Sequence, residues 1–268
     1  MLVELLSVIL RLASAVFDDP CAGATARSRQ DPHLDLAHGG SADFRGTDQG
    51  WYNYLSTPGL SVNARFEEAL YTLHDGLLLV NGTFMTEVHV AALVAGNASC
   101  KWAYVSYHAS ELNQQNWGWR AVNTSCGGSE VTLGPNRNRT CGGLITSVKL
   151  SSATIVVNPS QGSVEGAPWR IIVHGDKVND RVSGPTHRLD IEFSYLSQSS
   201  ADAHGLIGQS IADPLPRYGR LDVYPDSGTF TTSAQSEGAI DGTGEMYVVA
   251  SPFATDFAFS RFAGGTGS

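Results

Sequence analysis

Asp31, Pro32 and His33 are the residues whose order in the chain carries the most chemistry. An Asp–Pro bond is the peptide bond that acid breaks most readily. The aspartate carboxyl can attack its own carbonyl carbon, and the tertiary proline nitrogen leaves once it is protonated. His33, next in the chain, could shuttle that proton. The structural alternative is that Pro32 opens an edge strand and His33 packs or hydrogen-bonds. Gln30 precedes the pair and carries a Cβ, which restricts the backbone where a strained attack needs freedom.

A second group is oxygen-rich. Asp43, Asp213, Asp222 and Asp226, with Asp48 near the first, offer hard ligands of the kind Ca²⁺ takes. None follows EF-hand spacing, and Asp213-Pro214 and Asp226-Ser227-Gly228 also read as plain turns. The eight histidines include no HExxH pair and the chain has no CxxC, so a zinc site is not indicated. There is no GxSxG elbow and no P-loop, which ranks a conventional hydrolase last. Trp51, Tyr52 and Tyr54 cluster, Trp117 and Trp119 share a parity, and so do Trp102 and Tyr104. Such rows either stack on sugar rings or fill the space between sheets.

These groups need elements to hold them, and the dominant period is two. Leu60, Val62, Ala64 and Phe66 alternate with Ser61, Asn63 and Arg65, the pattern of a strand with one dry face. Leu189, Ile191, Phe193 and Tyr195 alternate with Arg188, Asp190 and Glu192 in the same way. Asp75-Gly76 between two apolar runs marks a hairpin. Phe84, Val88 and Val90 share a parity, and Trp102–His108, Leu144–Val157 and Trp169–His174 are further β-like runs. Arg220–Tyr224, Met246–Ala250 and Phe257–Phe262 read as short late strands. Turn signals recur between all of these, which predicts an all-β, antiparallel β-sandwich of many short strands.

Residues 1–15 form a short apolar stretch ending Ala13-Ser14-Ala15, read as a signal peptide or a short N-terminal helix. It is too short to span a bilayer, and no other segment is long and apolar enough. Residues 16–30 read as an irregular leader, 31–262 as the β domain and 263–268 as a flexible tail.

Charged residues make up 16% of the chain, Gly is abundant at 29 residues, and the net charge is −9. No Lys/Arg run exists, so a nucleic-acid groove is not expected. Cys126 and Cys141 bracket a Gly/Asn-rich loop that can double back as a hairpin, which favours their pairing and leaves Cys21 with Cys100. Asn81, Asn97, Asn123 and Asn138 each begin an N-glycosylation sequon. Sequons, cysteines and low charge together point to the secretory route and an extracellular or cell-surface location.

Asp31-Pro32-His33, the following Gly39-Gly40 turn and the strand runs after it resemble the start of a von Willebrand factor type D domain. The run His204-Gly205-Leu206-Ile207-Gly208-Gln209-Ser210 resembles the Gly-Leu-x-Gly motif late in such domains. It is closer still to the end of inter-alpha-trypsin inhibitor heavy chains and similar plant and algal secreted proteins. The chain departs from the pattern at Gln30, where members carry Gly, and at Ile207, where many carry Cys. The resemblance spans residues 31 to 262. It implies a structural or adhesive module of a matrix, cell surface or filament that binds protein partners or itself. It also implies a structural Ca²⁺ near the late motif and, in some members, spontaneous breakage of the Asp–Pro bond. A carbohydrate-binding sandwich is the alternative, with glycans as the ligand.

Overall fold

A computed structural model describes residues 24–94, 102–113, 121–157, 168–197 and 201–262. The apolar N-terminal stretch, Cys21, Cys100, Asn97, Trp117, Trp119 and the tail lie outside the described residues. Sixteen strands run through the described segments: β1 Thr25–Arg29, β2 His33–Asp35, β3 Ser41–Asp43, β4 Trp51–Thr57, β5 Leu60–Leu73, β6 Leu78–Leu93, β7 Trp102–His108 and β8 Val122–Cys126. They continue as β9 Ser129–Leu133, β10 Asn138–Cys141, β11 Leu144–Lys149, β12 Ser152–Val157, β13 Trp169–Lys177, β14 Arg181–Ser183, β15 His187–Tyr195 and β16 Gly228–Thr231. The α-helix among the described residues, α1, is short, Gly208–Ala212.

The strands make two antiparallel sheets in a sandwich. One runs β10-β11-β12-β13-β15-β1-β2-β3, and the other runs β14-β5-β6-β7-β8-β9. β4 adds to β5, and β16 joins β6 as a parallel strand. The alternation expected from sequence sets the packing. On β15, Leu189, Ile191 and Phe193 are buried while Arg188, Asp190 and Glu192 are only half-buried. On β7, Ala103, Val105 and Tyr107 enter the core while Trp102, Tyr104, Ser106 and His108 face the other way. Burial of these apolar faces supplies the main drive for folding. A smaller satellite cluster gathers Ala69, Tyr71, Leu78, Val80, Phe84 and Val178. Asp75-Gly76 turns β5 into β6 as expected, with His74, Asp75 and Gly76 all at positive φ.

Several expectations need correction. Residues 25–29 are not an irregular leader but β1, paired with β15 on one side and β2 on the other. Its inward residues are Ala26 and Ser28, too small to mark a strand by hydrophobicity. Arg220–Tyr224 and Phe257–Phe262 hold no strand, and Met246–Ala250 begins inside a 3₁₀ turn at Gly244–Tyr247 and holds only an isolated bridge at Val248. Leu221 and Val223 alternate but are both exposed, because side-chain bonds hold this segment in place of a ladder. The Cys126–Cys141 bridge forms, with Cα atoms 6.0 Å apart. The loop it closes is not one hairpin. β8 and β9 pair with each other, but β10 crosses to the other sheet, so the disulfide staples sheet to sheet. No helix among the described residues is long and apolar enough to cross a membrane.

Candidate functional site

β1 and β2 form a tight hairpin in which Arg29 pairs with His33, so Gln30, Asp31 and Pro32 make the turn. Gln30 adopts φ 59°, the left-handed conformation that glycine takes most easily. The Cβ expected to forbid this geometry is accommodated, and the Gln30 N–H donates to Asp190 Oδ1 at 2.9 Å. The turn thus carries local strain, held by the sheet on both sides of it.

Asp31 is only 7% exposed. Its Oδ2 accepts from Tyr71 Oη at 2.7 Å and Tyr224 Oη at 2.9 Å, and its Oδ1 accepts from the Thr83 N–H at 3.2 Å. Gly82 makes room for the carboxylate: a Cβ there would stand 2.6 Å from Oδ2. Burial raises the Asp31 carboxyl above the ordinary carboxylate range, against the three hydrogen bonds that favour its charged form. Burial likewise raises both tyrosines, with the neighbouring carboxylate adding to it. Next in the turn, His33 Nδ1 bonds Asp43 Oδ1 at 2.6 Å. That bond raises the His33 imidazole above its usual value despite partial burial.

These groups line a cleft of about 580 Å³. Its walls come from the β1–β2 turn, β5 (Tyr71, Leu73), the loop after β13 (Asn179, Asp180) and the late segment (Leu221, Tyr224). Arg188 and Phe84 close one side, the guanidinium 5.9 Å from the ring.

The acids considered for Ca²⁺ are spread out. Asp43 and Asp222 meet in the cleft, but Asp43 Oδ2 accepts the Asp222 N–H at 2.8 Å. The Asp222 carboxylate caps the N–H groups of Ser233 and Ala234. Asp213 pairs with Arg217 at 3.1 Å, Asp226 is exposed, and Asp48 Oδ1 accepts the Glu68 N–H. The late motif works as a dock. Gln209 Nε2 reaches Tyr247 Oη at 2.8 Å, while its Oε1 accepts from Arg217 and the Asp241 N–H. His204 is lowered by burial, and its Nδ1 accepts the Gly205 N–H at 2.9 Å.

The aromatic rows divide. Tyr52 and Tyr54 are buried in the core. Trp102 and Tyr104 sit on the outer face of the second sheet, where Phe262 stacks on Trp102 at 5.3 Å and Phe253 packs at a tilt against Tyr104 at 4.7 Å. The late chain packs against these rings and leaves both half-buried. Of the sequons, Asn123 and Asn138 are exposed, whereas Asn81 is half-buried and its Oδ1 accepts from Arg45 at 3.3 Å.

Sequence reasoning missed one constellation. Glu87 and His89 on β6 and His108 on β7 bring a carboxylate oxygen and two imidazole nitrogens within 4.8 Å of one another. HExxH spacing is a helical signal. In a strand, the signal is i, i+2 on one chain plus the cross-strand partner, here Glu87 opposite His108. Burial works against ionisation of Glu87, yet hydrogen bonds from His108, His89 and Arg65 hold its carboxyl well below the usual range. Burial pushes His89 down, toward the neutral ring. Among known proteins, no family model matches the chain and no curated sequence does.

Proposed function

We propose that the chain is a structural or adhesive module of an extracellular assembly, binding protein partners or itself, and that it matures by breaking its own Asp31–Pro32 bond. The observation that carries this reading is the buried Asp31 carboxyl, with a raised pKa, at the bond it would cut. The Cys126–Cys141 bridge supports an oxidising compartment.

A carboxyl that keeps its proton in mild acid holds both reactants of the step. One carboxyl oxygen closes on the Asp31 carbonyl carbon, and the proton passes to the Pro32 nitrogen. A five-membered cyclic anhydride forms at Asp31, the C–N bond breaks, and Pro32 becomes a secondary-amine terminus. Water entering the cleft opens the anhydride to a C-terminal aspartic acid. A partner's hydroxyl or amine would open it to an ester or amide, which is a covalent attachment. His33, next in the chain and kept charged to higher pH by Asp43, would be a second proton source. Closing the ring needs no nucleophile beyond the residue itself, so preorganisation of the turn sets the rate.

The test is mass spectrometry of the purified full chain held between about pH 4 and pH 7. A fragment ending at Asp31 is expected to accumulate faster as pH falls through the raised Asp31 pKa. It should form about ten-fold faster in the folded protein than in urea at the same pH. Asp31→Asn should remove it. Equal rates in folded and unfolded chain, or an intact chain at pH 5, would refute the proposal.

A further inference from the structure

We propose that Glu87, His89 and His108 form a binding site for one divalent cation of the zinc class on the outer face of the second sheet. Two imidazoles and one carboxylate are the donor set that Zn²⁺ takes where a water fills the fourth position. Val88 and Val90 point into the core, so Glu87 and His89 project from the opposite face of β6. His108 stands directly across from Glu87, and Ser106 directly across from His89. Strand register alone therefore converges three ligands.

The distances are close to those an ion would impose. Glu87 Oε2 lies 2.9 Å from His89 Nε2 and 3.3 Å from His108 Nδ1. Ligands about 2.0–2.2 Å from a tetrahedral Zn²⁺ stand about 3.3–3.6 Å apart. Glu87 Oε2 stands within a few tenths of an ångström of that spacing from each imidazole nitrogen.

The surroundings orient these donors. His89 is 3% exposed, and its other nitrogen, Nδ1, meets Ser106 Oγ at 2.8 Å. A hydroxyl can accept from Nδ1–H as well as donate to it, so the ring can present a bare Nε2 to a cation. Trp51 and Phe253 hold the ring edge-on at 5.0 and 5.1 Å. Glu87 and His108 are partly exposed, which leaves a route for an ion and a place for its water.

Arg65 marks the difference between a metal site and a closed polar network. Its Nη1 donates to Glu87 Oε1 at 2.6 Å and leaves Oε2 as a single ligand oxygen. Its positive charge also opposes a cation and so weakens binding. If the cluster is only a hydrogen-bonded network, removing Arg65 weakens the fold and does nothing for metal. If the cluster is a metal site, removing that charge strengthens binding.

Titration calorimetry of the full chain with Zn²⁺ alone tests this. One equivalent is expected to bind the wild-type chain. His108→Gln should weaken binding at least about ten-fold, and Arg65→Gln should tighten it about ten-fold. X-ray absorption of the zinc-loaded wild-type chain needs no variant and should show two imidazoles and oxygen ligands at about 2.0–2.1 Å. Absence of saturable binding, binding that survives His108→Gln or that Arg65→Gln weakens, or a coordination shell without two imidazoles would each overturn the site.

Discussion

Gly205→Ala is expected to cost at least about 3 kcal/mol of stability. Gly205 has φ +103°, which a side chain resists. Its added Cβ would also stand 2.6 Å from both the carbonyl carbon and the oxygen of Tyr54, and 2.7 Å from Asn53 Oδ1. Two of these atoms are backbone in β4 and cannot rotate away. The contact is this close because residues 204–207 add an extra rung to β4. His204 and Ser56 exchange both backbone bonds at 2.8 and 2.9 Å, Leu206 N–H donates to Asn53 O, and Ile207 N–H donates to Tyr54 O. Pushing Gly205 outward breaks all four. Gly76→Ala is the control, since Gly76 also has positive φ, at +86°, but has nothing within 4 Å of its would-be Cβ. That variant should lose only about 1 kcal/mol. Urea unfolding of both variants separates strain from collision, and equal midpoints would contradict the close approach.

Cys126→Ala with Cys141→Ala is expected to cost about 3 kcal/mol, the value for closing a loop of 15 residues in the unfolded chain. The bridge ties β8 to β10, the outermost strand of the first sheet, which has β11 as its one sheet neighbour. Arg139 supports the same junction, donating to Thr124 O at 2.9 Å and Ser129 O at 3.0 Å. Once the bridge is gone, that guanidinium is the remaining polar tie across the sheets at this corner among the bonds described. Unfolding with and without reductant measures the loss, and limited proteolysis should cut within residues 127–140 first. A melting curve unmoved by reductant would show that the corner is held by packing alone.

How much of this was readable in advance follows from what each element uses to hold itself. β15 and β7 announce themselves because their inward residues are large and apolar. β1 does not, because its inward residues, Ala26 and Ser28, are small and Ser28 is polar. The late segment misleads for the opposite reason. Leu221 and Val223 have strand-like alternation, but the chain is fixed by Asp222 and Arg220 bonding Ser233, 11 and 13 residues on, and by the distant Asp43 carboxylate accepting the Asp222 N–H. Asp31 and His33 were visible as chemistry, whereas Tyr71 and Tyr224, which hold the carboxylate, come from 40 and 193 residues away. Long-range pairing of that kind leaves no local pattern. The Glu87, His89 and His108 cluster left one, the strand spacing of its first two members, but needed the register of β7 to complete it.

The position of β1 between β15 and β2 has a further consequence. A cut after Asp31 severs the covalent link to β2 but leaves every main-chain bond between β1 and β15 in place. The product would be a two-piece particle that travels as one species on a sizing column and parts under denaturant once disulfides are reduced. The N-terminal piece would stay seated in the first sheet through β1, and anything joined to its new carboxyl end would be held to the larger piece by that strand.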